Sequence, residues 1–162
     1  MSINKMALHQ QITHELTQRH AVAASATQTA IDTATDQENV PEHKYDTLSL
    51  EAAYLAHGQA QRLQQCAADI HSFKSSPVKA FLGTDLCTIG ALINVIDEIG
   101  VDKWFYISPV AGGLRFHFDG ILIQLVTPES PLGKALMKNR VGDEFEMNIA
   151  ENKKIYEIVT LL

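Results

Sequence analysis

The chain has 162 residues, with 13 Lys and Arg against 19 Asp and Glu, a formal charge of -6 and 46% hydrophobic residues. This is the composition of a globular protein of one or two domains, and it lacks the basic excess needed to bind nucleic acid by neutralising phosphates. Cys66 and Cys87 are distant and form no CxxC, which argues against a disulfide scaffold or a cysteine zinc site; residues 1–11 have no signal-peptide core, and no apolar run approaches the roughly 18 residues of a membrane helix, so a reducing, cytoplasmic setting is expected.

Glycine is unevenly spread. Gly58 is the first, the other eight lie beyond Pro77, and Pro41 is the only proline before it. The first part, rich in Ala, Gln, Leu and His, therefore predicts long helices. Leu8, Ile12, Leu16, Val22, Ala26 and Ala30 form one apolar stripe, and Leu50, Tyr54, Leu63, Ala67 and Ile70 a second. Residues 35–44, with Asn39, Pro41 and four charges, read as the turn between two antiparallel helices of roughly 25–30 residues, on the order of 40 Å long. Thr47 is placed to cap the second helix. His9, His14 and His20 are spaced by five and six, which does not give a shared helical face, and they read as solvated surface residues. Asp32, Asp36, Glu38, Glu42 and Asp46 crowd the turn with only Lys44 opposing them. Carboxylates there can lend oxygens to a hard cation such as Mg²⁺, although helix-hairpin turns are commonly polar for no further reason.

Ser75-Ser76-Pro77 marks a linker, dividing the chain into 1–74, 75–77 and 78–162. Beyond it, residues 88–96, 103–107, 114–118 and 121–126 read as strands rich in β-branched and aromatic residues, with Asp119-Gly120 a hairpin turn. Trp104, Phe105 and Tyr106 supply the sheet's core and a surface strand. Ser130 as N-cap and Pro131 at the first helical position announce a short helix over 131–138, followed by strands over 143–149 and 154–161. The fold class is α+β: a helical hairpin followed by a small sheet with one short helix. Catalytic signatures are absent: Gly133-Lys134 lacks the flanking residues of a phosphate loop, and there is no G-x-S-x-G.

The segment Thr127-Pro128-Glu129-Ser130-Pro131-Leu132-Gly133-Lys134-Ala135-Leu136, continuing to Val141-Gly142-Asp143 and a closing Tyr156-Glu157-Ile158-Val159, resembles the end of the Gre family of bacterial transcript-cleavage and elongation factors. Residues 106–113 resemble its Rnk-like and GreA/GreB-like branch, and the order of hairpin, linker and sheet resembles the family over essentially the whole chain, most strongly over 100–162. The resemblance implies an N-terminal coiled-coil hairpin entering the secondary channel of bacterial RNA polymerase, and an FKBP-like antiparallel C-terminal sheet docked on its rim. It implies a factor that is no enzyme alone but donates groups to the polymerase's own RNA hydrolysis. No cofactor is tightly bound; the metal is the Mg²⁺ of the polymerase active site, held with help from tip carboxylates.

In the family pattern anchored on Tyr45, the Asp position is Glu38 and the Glu position is Pro41, with Glu42 adjacent and Asp36 two before. Glu38, Glu42 and Asp36 are thus the tip candidates, Glu38 and Glu42 for the shared Mg²⁺. Ser130, Pro131, Lys134, Lys138 and Arg140 are the candidates for meeting the polymerase. The partner is the polymerase, with neither a membrane nor a sequence-specific nucleic-acid contact. The family's glycine after the short helix is Lys138 here, and Asn139 is expected to take the left-handed cap conformation instead. Three alternatives stand beside this reading: a Gre-like channel-binding regulator without cleavage activity, a prolyl isomerase in the sheet domain, and a Rnk-like regulator of nucleotide metabolism, against which the hairpin length counts because the resemblance implies a shorter coiled coil there.

Overall fold

The structure, a computed structural model, describes residues 3–35 and 47–162. It divides into two compact units, one comprising Met1–Thr13 with Ser72–Leu162 and the other His14–His71.

Two long helices, α1 (Lys5–Thr35) and α2 (Leu48–Lys74), supply the whole of the second unit's described structure. Asn4 caps α1: its Oδ1 accepts from Ala7 N at 3.1 Å while its carbonyl accepts from Leu8 N at 2.9 Å. The helix α2 starts directly after Thr47, whose carbonyl accepts from Glu51 N. Both helices fall where low glycine content predicted them, but the buried stripes differ from the expected ones. On α1 the stripe runs through Leu16, Ala23, Thr27 and Ala30, leaving Val22 67% exposed. Ala23 lies seven positions after Leu16, two helical turns on, whereas position 22 has rotated off that face. Thr27 is tolerated in the seam because its hydroxyl donates to the Ala23 carbonyl at 2.7 Å. On α2 the partly buried positions include Ala52, Ala56, Gln59, Leu63, Cys66 and Ile70, leading to fully buried Phe73, while Leu50, Tyr54 and Ala67 are exposed. The late residues of α1 and the early residues of α2 line a common shallow groove, as oppositely directed helices require.

The first unit contains a six-stranded sheet, β1 (Leu92–Asp97), β2 (Asp102–Ile107), β3 (Arg115–Phe118), β4 (Ile121–Val126), β5 (Glu144–Ile149) and β6 (Asn152–Leu161), ordered β3-β4-β2-β1-β6-β5. Asp119 and Gly120 both have positive φ, 49° and 80°, which is the backbone a two-residue hairpin requires, and Phe118 pairs with Ile121 across it. Four strand pairs are antiparallel; β2 and β4 are parallel, a departure from the all-antiparallel expectation. The chain leaves β2 for the edge strand β3 and returns between them as β4, so β4 runs with β2. Residues 88–91 belong to a turn instead of the first strand, because Gly90 at φ 94° bends the chain there.

One face of the sheet, through Ile93, Val95, Phe105, Ile107, Tyr156 and Ile158, packs with Leu136 of the short helix α3 (Pro131–Leu136) and with Cys87. Burial pushes the Cys87 thiol up to about 11, with the nearby Asp143 carboxylate adding to it, so this cysteine is an inert core residue. On β2, Phe105 and Tyr106 are buried and Trp104 is half-buried, its Nε1 donating to Asp102 Oδ2 at 3.2 Å. Within this same unit Phe73 meets the Tyr106 ring at 6.2 Å, and His9 stacks on Phe73 at 4.5 Å. His9 is therefore a packing residue, not the solvated one its spacing suggested.

Candidate functional site

The tip candidates Asp36, Glu38 and Glu42, together with Pro41, Lys44, Tyr45 and Asp46, lie outside the described residues. Asp32, in the last turns of α1, is exposed and accepts from Gln28 Nε2 at 2.7 Å. Among the described residues no group of three or more His, Cys, Asp and Glu side chains is placed to hold a metal ion, and no helix is long and apolar enough to cross a membrane.

The C-terminal candidates are built around one tight turn. Ser130 caps α3 as its position before Pro131 predicted: its Oγ accepts from Gly133 N at 3.0 Å and donates to the Thr127 carbonyl at 2.8 Å. That carbonyl presses against Gly133 so closely that a Cβ there would lie 1.9 Å from it. On the other side, Gly112 approaches Thr127 so nearly that a Cβ would sit 3.1 Å from Thr127 Cγ2. Thr127 is thus packed from both sides under the start of α3, and at Gly133, where its backbone oxygen is the neighbour, only glycine fits. The half-buried Ser130 is structural, while Pro131 is presented at the surface.

Helix α3 ends at Leu136, two residues before the expected limit, and the residue that turns left-handed is Lys138, at φ 71°. The expectation for Asn139 is therefore corrected. Asn139 is held by its side chain, whose Nδ2 donates to the Ala135 carbonyl at 2.6 Å, and by its carbonyl, which accepts from Cys87 N at 2.8 Å. With Asn139 committed to those bonds, the turn falls to Lys138 in spite of its Cβ. A lysine in this conformation costs about 1–2 kcal/mol, so Lys138→Gly should stabilise the protein by about 0.5–1 kcal/mol after glycine's entropic cost of roughly 0.5–1 kcal/mol is deducted. An unchanged or lowered urea midpoint would contradict that assignment. Lys134, Lys138 and Arg140 are all exposed and, among the described residues, none is in an ion pair. The structure places them on α3 and the turn that follows it.

A groove of about 590 Å³ opens on the α3 side of the sheet. Phe105, Leu122, Leu132, Met147 and Tyr156 give it an apolar lining, Lys103 and Arg115 add two cationic groups, and Asp102, which accepts from Trp104 Nε1, adds one carboxylate. Lys103 Nζ donates to Tyr156 Oη at 3.1 Å, and Arg115 Nε donates to Gln124 Oε1 at 2.9 Å. Neither cation has a carboxylate partner among the described residues. The guanidinium's remaining donors and two ammonium donors are thus available beside an apolar trough, a combination that suits an acidic protein segment with an apolar anchor. Sequence reasoning did not find this groove, because its lining is drawn from five strands and α3.

Residues 121–162 match the family described as "Transcription elongation factor, GreA/GreB, C-term". No match was found among curated proteins. Among solved structures, the chain is similar to GreA factor homolog 1 (Gfh1) of Thermus thermophilus, at 20% identity over 96% of this chain and 93% of that one, with a TM-score of 0.39. It is also similar to Gfh1 of Thermus aquaticus, at 20% identity over 91% and 92%, with a TM-score of 0.39. A third similarity is to the transcription elongation factor GreA/GreB from Nitrosomonas europaea, at 16% identity over 59% and 78%, with a TM-score of 0.38. The residues matched by the family model comprise β4, α3, β5 and β6, so the similarity covers the C-terminal part of the sheet and its short helix.

Proposed function

We propose that this chain is a cytoplasmic RNA polymerase-binding elongation factor that works through the polymerase's secondary channel. The observation that carries the reading is the family match over residues 121–162, the stretch that holds the Ser130-Pro131 turn and the exposed cations Lys134, Lys138 and Arg140. The adjoining apolar groove with Lys103 and Arg115 supports the same conclusion, since a cationic, partly apolar surface on a chain of charge -6 is suited to an acidic protein rim rather than to a phosphate backbone. The helices α1 and α2, 31 and 27 residues long, correspond to about 46 and 40 Å at 1.5 Å per residue, and their length supports a hairpin that reaches into a channel.

In this reading Glu38 and Glu42, with Asp36 beside them, help hold the polymerase's Mg²⁺, which when bound supplies the hydroxide that cuts the 3′ end of backtracked RNA. The chain's own part is to bring carboxylates to the ion; the hydrolysis belongs to the polymerase. A second reading, occupancy of the channel without cleavage, is favoured by one feature of the sequence: Pro41 stands at the family's glutamate position.

Binding to purified RNA polymerase tests the shared part of both readings. Reversing charge at Lys134, Lys138 and Arg140 together is expected to weaken binding by about tenfold or more, with a steeper loss at low salt than at high salt. Binding unaffected by that triple substitution and by Arg115→Glu would remove this surface from the interaction.

A further inference from the structure

Lys5, on the first turn of α1, points its ammonium into a cage assembled from distant parts of the chain. Nζ donates to the main-chain oxygen of Gly90 and to that of Leu162, the latter at 2.9 Å. It also lies 5.3 Å from the ring centres of both Phe81 and Tyr106. Two main-chain oxygens and two π-faces suit a compact three-donor ammonium. Gly90 is held by the turn before β1, donating to the Ile107 carbonyl, while Tyr106 sits on β2 opposite Leu92. The cage is thus anchored on the sheet.

We propose that Lys5 is an ammonium clasp that ties the start of α1, residues 3–13, to the sheet-bearing unit, so that this part of the helix stays in place only while the side chain occupies the cage. The same residues fall within the compact unit that contains Ser72–Leu162, although the linker lies more than sixty positions away in sequence. Leu8 and Ile12 are fully buried one and two turns on, and His9 stacks on Phe73. Releasing the clasp therefore unzips a short, well-packed segment.

Burial lowers Lys5 from 10.5 to about 8, so at neutral pH the side chain is still an ammonium, and it fills the cage in that form.

Amide hydrogen exchange on the full-length chain tests the clasp. Near neutral pH, Lys5→Met should speed exchange at Leu8–Thr13 by about tenfold while β3 and β4 keep their protection. Unchanged exchange at those amides, or equal loosening of the whole sheet, would overturn the proposal. Should the variant fail to fold, amide exchange in the unaltered protein decides: protection of Leu8–Thr13 comparable to that of β1 supports the clasp, and exchange there as fast as at a frayed helix end rejects it.

Discussion

Gly133→Ala should remove on the order of 3 kcal/mol or more of stability, because the added methyl must displace a backbone atom and not a pliable side chain. The Cβ would lie 1.9 Å from the Thr127 carbonyl oxygen and 2.8 Å from its carbonyl carbon. That oxygen cannot simply move aside, since it accepts from both Ser130 Oγ at 2.8 Å and Ser130 N at 3.1 Å. Nor can α3 retreat from it, because Leu136 is fully buried in the sheet's core one turn later. Relief requires breaking the cap or lifting the helix, and either exposes the core. Gly58→Ala provides the contrast. Gly58 lies within α2, exposed, with nothing within 4 Å of its added Cβ, so alanine should stabilise by about 0.5–1 kcal/mol through helix propensity. Urea unfolding of the two variants should move the midpoints in opposite directions. A Gly133→Ala protein as stable as the parent would mean that the Thr127–Gly133 contact does not exist. Because this turn also carries Pro131 and Lys134, the variant should lose polymerase binding along with stability, whereas Gly58→Ala should leave binding by this surface intact.

The elements themselves were legible because each carries a strong local signal. Asp119-Gly120 between apolar runs gave the β3–β4 hairpin, and Ser130-Pro131 gave the start of α3. The helix seams were less legible because they are built from small and polar residues. Ala52, Ala56 and Gln59 lie on the partly buried face of α2, while the larger Leu50 and Tyr54 drew the stripe to the wrong side. Hydrophobicity ranks residues by size as well as by polarity, and a helix pair that packs through alanines reverses the usual ranking. Thr27 misled in the same way, since its hydroxyl is satisfied by the helix backbone and so can be buried. The parallel β2–β4 pair, the groove and the Lys5 cage share another cause. Each depends on which distant segments meet, and no window of local sequence holds that information. Lys138 shows the limit of family expectation as well. Asn139 is the better left-handed residue in isolation, yet its side-chain and carbonyl bonds place the turn one residue earlier.

A stalled, backtracked elongation complex supplied with Mg²⁺ should release short 3′ RNA fragments when this chain is added, and the combined Glu38→Ala and Glu42→Ala substitutions should slow that release on the order of 100-fold. The size follows from the chemistry: a carboxylate that helps hold the second metal ion stabilises charge in the transition state by several kcal/mol, and each 1.4 kcal/mol is about a factor of ten in rate. Asp36→Ala is expected to have a smaller effect, because Glu38 occupies the family's Asp position and Glu42 adjoins its Glu position, while Asp36 lies two residues before the pair. Binding should survive all three substitutions, since the proposed docking surface lies in residues 103–156 and not in the segment that carries these carboxylates. This separation of binding from cleavage is what distinguishes the two functional readings. If the unaltered chain binds the polymerase, displaces an active cleavage factor and releases no RNA, it acts as a channel plug, and the proline at the family's glutamate position is the first residue to test as the cause. Pro41→Glu would then be the informative reversal. It returns a carboxylate to the family's position and restores a backbone N–H, so a gain of cleavage would assign the lost activity to that single residue, and continued silence would place the cause elsewhere in 36–46.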